Sequence, residues 1–171
     1  VPPLAGKALE PVVLKFIAYH PDMGAAIDVS MIRASDVADL AVLRSEKPLP
    51  NVGGLRLAER LPEPGEEVVL IGYPTGMRSM LAEAGPDFLE DLQQQEVTDS
   101  WSIAERLAAT GRMAPLASRG IVGRVSREAI IYDAPTTYGG SGGPVLDVNG
   151  AVVAVNSAIL PEYGGSNLGV P

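Results

Sequence analysis

The chain has 171 residues, the size of one ordinary domain and enough to bury a substantial core. Its formal charge of -8 is not reversed by any local Lys/Arg cluster, which excludes nucleic acid as a partner. No apolar run reaches about eighteen residues, so we expect no membrane span. Aromatic residues make up only 5%, and the 19 glycines and 15 prolines indicate many short strands and turns, so we expect an all-β fold.

Residue types that hold metals and cofactors are scarce in this sequence. There is no cysteine, which excludes a disulfide framework, a thiolate nucleophile and a thiolate metal site. The single histidine, His20, excludes a multi-histidine metal site, and the acidic residues lack the spacing of a calcium-binding loop. We therefore expect neither a metal nor a cofactor.

Four stretches in the first half of the chain are predicted to be strands. Residues 12–19 and 27–33 are rich in β-branched and apolar side chains, and the turn between them contains Gly24, so we predict a hairpin. Residues 39–44 and 66–73 have the same character, and a proline- and glycine-rich breaker precedes the second of them.

Helical spacing replaces strand character from about residue 78 to residue 117. The apolar residues recur three and four positions apart on two predicted helices, with the faces Phe88, Leu89 and Leu92, and Trp101, Ala104 and Ala108. Pro86 is typical of a helix start, and Gly111 is typical of a helix end. Ser102 and Glu105 have the spacing of a capping box. We predict a helical insertion in a β protein.

Strand character resumes at residues 118–126 and 128–134. Further on, Asn149 and Gly150 separate two runs of apolar residues. Asn-Gly between such runs is the best short-range signal for a β-hairpin in this sequence. We therefore predict a hairpin centred on this pair.

A cluster of glycines surrounds one serine in the sequence TTYGGSGGPV, residues 136–145. A serine hydroxyl attacks a carbonyl only with a base to take its proton and with donors to hold the resulting oxyanion, and glycines let backbone N–H groups converge on one point. The alternatives are a flexible linker or a phosphate-binding loop. A linker is not expected to lead directly into Pro144 and a tight hairpin, and a phosphate loop opens a helix and usually carries a lysine.

Several segments resemble one family of enzymes. The sequence GGSGGPVLDVNGAVVAVNSAI is similar to the nucleophile segment of the trypsin-like, chymotrypsin-fold serine peptidases, in particular the bacterial HtrA/Deg branch. The sequences DLAVLR, EEVVLIGYPTG and RGIVGRVS resemble three strands of the same family. The resemblance implies two six-stranded β-barrels, with the remainder of the N-terminal one at residues 1–62 and the C-terminal one at 63–171, together one peptidase domain. The insertion at 78–117 departs from the family pattern. We interpret it as an enlargement of the surface without a specific role, with shielding of the cleft or binding of a partner as alternatives.

The resemblance also implies roles for particular residues. Ser141 corresponds to the nucleophile, and Asp39, favoured over the nearby Asp36, to the aspartate that orients the catalytic histidine. Gly139, Gly140 and Ser141 correspond to the oxyanion hole. The implied substrate-binding residues are Thr136, Thr137, Tyr138, Asn156, Ser157 and Ala158.

The implied substrate is a peptide or an unfolded protein that adds as an extended strand. The pocket wall at Ala134 and Pro135 carries no acidic residue, and Asp133 corresponds to a position outside the pocket. A preference for Lys or Arg before the cleaved bond is therefore not expected, and small or medium apolar side chains are. By resemblance alone, the setting is the bacterial periplasm or another extracytoplasmic compartment. An oligomer is compatible with the sequence, which does not indicate the oligomeric state.

The position of the catalytic histidine is where this sequence departs from the family pattern. His20, Asp39 and Ser141 occur in the order of the chymotrypsin triad. However, His20 lies at the tip of the predicted hairpin, whereas the family's histidine precedes the first strand of that hairpin. We interpret His20 as a turn residue and expect the family's histidine just before residue 1, so that these residues alone would be weakly active or inactive.

Two other functions stay open. The first is a peptidase-like module that binds peptides or a protein partner without cleaving them. The second is an α/β-hydrolase esterase, which ranks last because it needs a strand-turn-helix around the serine, and here a hairpin follows.

Overall fold

Residues 16–20, 23–49, 53–161, 164 and 166–171 are described in the computed structural model. The first part is a three-stranded antiparallel sheet with the strand order β1 (Phe16–Tyr19), β2 (Ala26–Ala34) and β3 (Ala41–Ser45). The predicted hairpin is confirmed over its described residues, with Tyr19 opposite Ala26. Residues 12–15 of the predicted first strand lie outside the described part of the chain.

The second part is a closed antiparallel barrel of six strands. They are β4 (Glu67–Gly72), β5 (Leu116–Val125), β6 (Ile130–Tyr132), β7 (Pro144–Asp147), β8 (Val152–Leu160) and β9 (Ser166–Val170). Their order around the barrel is β4-β5-β6-β9-β8-β7. The prediction of an all-β barrel fold with a helical insertion is confirmed, and closure leaves this barrel no free sheet edge.

The barrel interior is filled by inward-facing side chains that alternate along the strands. Val68 and Leu70 of β4 and Ile130 and Tyr132 of β6 are almost completely buried. They pack in one cluster with Val122, Ala134, Val145, Val153 and Ala154. Burial of such apolar surface is the main favourable term in folding, so this core holds the barrel and everything mounted on it.

The hairpin between β7 and β8 confirms the prediction from Asn149 and Gly150. Gly150 has a φ of 77°, in the left-handed region that favours glycine. The carboxylate of Asp147 accepts hydrogen bonds from the N–H groups of Asn149 and Ala151, each 2.8 Å long. These bonds, that from Ala151 above all, hold the pKa of Asp147 below its usual range.

Three helices join β4 to β5: α1 (Met77–Glu83), α2 (Pro86–Gln94) and α3 (Ser100–Ala109). The first was not predicted as a separate helix. Pro86 at the start of α2 and the left-handed Gly111 after α3 agree with the sequence analysis. The predicted capping box was wrong, because the N-cap of α3 is Asp99, whose carboxylate accepts from the N–H of Ser102 at 2.9 Å.

The predicted apolar faces of these helices are partly wrong. Phe88 and Leu92 are buried as predicted, but Leu89 is exposed. In α3, Leu107 and Ala108 are the buried residues, whereas Trp101 is 56% exposed. The side of α3 that carries Leu107 is the one that packs against α2.

The insertion has a hydrophobic cluster of its own, which two tyrosines join to the strands. Tyr73, just after β4, and Tyr19, at the end of β1, pack against this cluster, whose buried residues include Phe88 and Leu107. The Tyr19 hydroxyl also donates to the carbonyl oxygen of Trp101 at 3.4 Å. The insertion is therefore fastened to both sheets. Among the residues described, no helix is long and apolar enough to cross a membrane.

Candidate active site

Ser141 lies in a tight turn between β6 and β7. The N–H of Gly140 donates to the carbonyl of Thr137 at 3.1 Å, and the N–H of Gly143 donates back to the carbonyl of Gly140 at 3.2 Å. Gly139 has a φ of 93° and Gly142 a φ of 84°, so the residues around Ser141 use conformations that are costly for side chains with a Cβ. We call residues 139–143 the nucleophile turn.

Close approach of neighbouring backbone also requires glycine in this turn. A Cβ on Gly139 would lie 2.8 Å from the carbonyl oxygen of Tyr73, and a Cβ on Gly143 would collide with the carbonyl of Ile71. The N–H of Thr75 donates to the carbonyl of Tyr138 at 2.6 Å. The end of β4 and the turn after it therefore clamp the nucleophile turn from one side.

A β-bulge at Ser157 faces the nucleophile turn. On β8, Asn156 pairs with Gly169 and Ala158 with Leu168, so Ser157 is one extra residue between consecutive pairs. A bulge of this kind changes the direction in which a residue presents its side chain. Here the Ser141 hydroxyl donates to the Ser157 carbonyl oxygen at 2.9 Å.

Asp39 reaches the same bulge from the other sheet. The Ser157 hydroxyl donates to Oδ2 of Asp39 at 2.6 Å, which joins the connection between β2 and β3 to the barrel. That connection is a compact turn in which the hydroxyl of Ser35 accepts from the N–H groups of Val37 and Ala38. The structure thus brings Ser141 and Asp39 together through Ser157, all three at least partly accessible to solvent.

His20 lies at the opposite end of the three-stranded sheet. It follows Tyr19, which pairs with Ala26 at the start of β2, whereas Asp39 follows the other end of that strand. A nine-residue strand spans about 26 Å at roughly 3.3 Å per residue, far beyond the reach of an imidazole. His20 is therefore not placed to serve Ser141, in agreement with the interpretation as a turn residue.

Two backbone N–H groups of the nucleophile turn point at no protein acceptor. In the described ranges, neither Gly139 nor Ser141 donates its N–H to the backbone or to a side chain, although their neighbours Gly140 and Gly142 do. Unpaired N–H groups on either side of one peptide unit can bind an oxyanion. The oxyanion hole expected at Gly139, Gly140 and Ser141 stays a prediction.

The predicted substrate-binding residues lie on both sides of Ser141. Tyr138 is 87% exposed and Ala158 is exposed, whereas Thr136 and Thr137 are half-buried. Asn156 differs from the rest because it is 2% exposed, with its side chain turned into the barrel. The side chain of Asp133 is occupied elsewhere, since its Oδ1 accepts from the N–H of Ile121 at 2.6 Å.

Two contributors to this site have no clear signal in the sequence. One is Tyr132, whose hydroxyl meets Asn156 inside the barrel at 2.6 Å. The other is Thr75, a β-branched residue with a φ of 58° in the turn that clamps Gly139. Positive φ at such a residue is a genuine outlier and often marks a functional turn. Over the part of the chain that the structure covers, no group of three or more His, Cys, Asp or Glu side chains could hold a metal ion.

A closed six-stranded antiparallel barrel of this kind is found in the trypsin-like class of β-barrel proteins. The family model described as "Trypsin-like peptidase domain" matches residues 5–155, and the chain belongs to this family.

Solved structures of bacterial proteases share the fold. The Rv3671c protease of M. tuberculosis in its inactive form is 16% identical with a TM-score of 0.58, and the match covers 86% of this chain and 63% of that one. A serine endoprotease from Yersinia pestis is 17% identical with a TM-score of 0.58, covering 86% of this chain and 41% of that one. The chain spans less than two thirds of the length of either.

Proposed function

We propose that this chain is the peptidase domain of a serine endopeptidase that cleaves through an acyl-enzyme on Ser141. The observation that carries the proposal is the connected set of hydrogen bonds from Ser141 to Ser157 and from Ser157 to Asp39. These bonds bring the Ser141 hydroxyl and the Asp39 carboxylate, which are far apart in sequence, to the same place between the two sheets.

In this mechanism Ser141 attacks the scissile carbonyl while an imidazole takes the hydroxyl proton and later passes it to the leaving amine. Asp39 orients that imidazole and stabilises its charged form. Because His20 lies at the far end of the sheet, the proposed imidazole is one outside these 171 residues. The N–H groups of Gly139 and Ser141 bind the oxyanion of the tetrahedral intermediate.

The proposed substrate is an extended peptide or an unfolded protein. Its backbone lies along the exposed residues beside Ser157, and its side chain before the cleaved bond enters between Thr136 and Ala158. Because the nearby carboxylate of Asp133 is already bonded to the backbone of Ile121, small or medium apolar side chains suit this pocket better than Lys or Arg. An HtrA-like role in a bacterial extracytoplasmic compartment fits this substrate class.

The division into residues 1–62 and 63–171 belongs to the same proposal. Asp39 comes from the first segment and Ser141 from the second, so the active site forms where the two segments meet. Both segments are needed for catalysis, as parts of one peptidase domain.

The test uses the full-length protein and a fluorophosphonate probe, which phosphonylates an activated serine with loss of fluoride. We expect labelling of the unmodified protein, none of Ser141→Ala, and strongly reduced labelling of Asp39→Ala. Ser100→Ala is the matched control, since Ser100 is an exposed serine on the helical insertion and its loss leaves labelling unchanged. Labelling that persists in Ser141→Ala refutes the assignment of the nucleophile.

Labelling, combined with a measurement of peptide affinity, separates the enzyme from a peptide-binding module. A module binds an extended peptide but is not labelled, and its peptide affinity does not change in Asp39→Ala. If the full-length protein shows that result, the endopeptidase proposal is wrong.

A further inference from the structure

Inside the barrel, two polar side chains that no catalytic step uses are paired with each other. Tyr132 on β6 is 1% exposed and Asn156 on β8 is 2% exposed. The tyrosine hydroxyl donates to Oδ1 of the asparagine at 2.6 Å. Burial raises the pKa of Tyr132 far above its usual value, so the hydroxyl keeps its proton and acts as a donor.

Asn156 contacts the nucleophile turn on both sides of the serine. Its carbonyl oxygen accepts from the N–H of Gly142 at 2.7 Å, and its own N–H donates to the carbonyl of Gly143 at 2.9 Å. On the other side, the position of a Cβ on Gly140 is 3.5 Å from Nδ2 of Asn156. The residue after it is the bulged Ser157, which accepts from the Ser141 hydroxyl.

The tyrosine hydroxyl selects the orientation of this amide. An asparagine side chain presents an acceptor on one side and a donor group on the other, and its terminal torsion is soft. In the structure the amide oxygen faces the Tyr132 hydroxyl, and the amide nitrogen is on the side of Gly140. The backbone of the same residue is bonded to Gly142 and Gly143.

We infer that Tyr132 is a positioning residue for the nucleophile turn and acts through the amide of Asn156. This inference rests on the proposed function for its catalytic consequence. Without the hydroxyl, Oδ1 of Asn156 is buried without a partner, and the amide turns to find one. Gly140 and Gly142 then shift, and the N–H groups of Gly139 and Ser141 no longer converge on the oxyanion.

The catalytic test is Tyr132→Phe in the full-length protein, followed by the rate of fluorophosphonate labelling. We expect the maximal labelling rate to fall about tenfold, while the probe concentration that gives half the maximal rate stays the same, because the pocket walls are unchanged. Ile130→Val is the control. It trims a fully buried apolar residue of the same strand without removing a hydrogen bond to Asn156, and it leaves the labelling rate unchanged.

A double mutant distinguishes positioning from general loss of packing. Asn156→Ala also lowers the rate, and adding Tyr132→Phe to it lowers the rate no further, because the hydroxyl acts only through the amide. Additive losses in the double mutant, or an unchanged rate in Tyr132→Phe, overturn the inference while leaving the proposed function intact.

Hydrogen exchange tests the same inference without catalysis. In Tyr132→Phe we expect the amide protons of Gly142 and Asn156 to exchange faster, with the exchange of β4 amides unchanged, and Ile130→Val to alter neither group selectively. Unchanged exchange at Gly142 refutes the positioning role. If the unmodified protein is not labelled at all, the proposed function fails, and this measurement still decides whether Tyr132 holds the turn.

Discussion

Replacing Gly139 by alanine tests whether the clamp from Tyr73 fixes the nucleophile turn. Gly139 and Gly142 have similar positive φ values, 93° and 84°, so each alanine variant loses about 1–2 kcal/mol for the backbone conformation alone. They differ in their surroundings. A Cβ at residue 139 would be 2.8 Å from the carbonyl oxygen of Tyr73, whereas a Cβ at residue 142 has no atom within 4 Å.

The close contact with the Tyr73 carbonyl adds a second loss of free energy of unfolding, and only in Gly139→Ala. A backbone carbonyl cannot rotate away as a side chain does, so the turn must move, and overpacking of this kind costs about 1–3 kcal/mol more. Urea denaturation of both variants measures the difference between their free energies of unfolding, and fluorophosphonate labelling measures the displacement of Ser141. We expect Gly139→Ala to be the less stable variant and to label more slowly. Equal losses of stability in the two variants would refute the clamp.

Three further predictions concern the same region and the hairpin. Thr75→Asn relieves the positive φ of a β-branched residue and raises stability by about 1 kcal/mol, a Tm increase of about 2–4 °C; no increase contradicts strain at this turn. Ser157→Ala removes one hydrogen bond to Asp39 and slows labelling of the full-length protein about threefold to tenfold; an unchanged rate shows that the bond does not contribute. The lowered pKa of Asp147 means that its stabilising effect is present above its unfolded pKa and is lost as pH falls through its folded pKa. Asp147→Ala therefore has a lower urea midpoint at pH 7, and the gap narrows as the pH falls below the ordinary pKa of an aspartate, about 3.9; a gap independent of pH refutes this.

Local patterns predicted the strands and the main hairpin well. The alternation of buried residues in β4 and the Asn149-Gly150 turn depend on neighbours in sequence, and the structure confirms both. The helical insertion was also predictable from spacing, although α1 was not predicted as a separate helix; it has only seven residues, and its apolar Met77, Met80 and Leu81 are only partly buried. Trp101 was misjudged because spacing gives the faces of a helix but not which face meets the next helix.

The site is less predictable, because its contacts join distant segments. The glycines around Ser141 predict a special turn, but not that Tyr73 and Ile71 press against it. The pairing of Tyr132 with Asn156 depends on two strands that are not consecutive in the chain. Neither residue has a neighbour in sequence that marks it, so only the tertiary structure reveals the pair.

The bulge at Ser157 also bears on the order in which the contacts of the candidate site form during synthesis. Its hydroxyl bonds to Asp39, 118 positions earlier in the chain, and its carbonyl aligns the hydroxyl of Ser141. A contact of such long sequence separation forms late in folding, after the intervening segments are in place. A nascent chain that ends before β8 therefore contains Ser141 without the Ser157 carbonyl that accepts from its hydroxyl. If the proposed function holds, Ser141 becomes reactive only in a chain that includes β8.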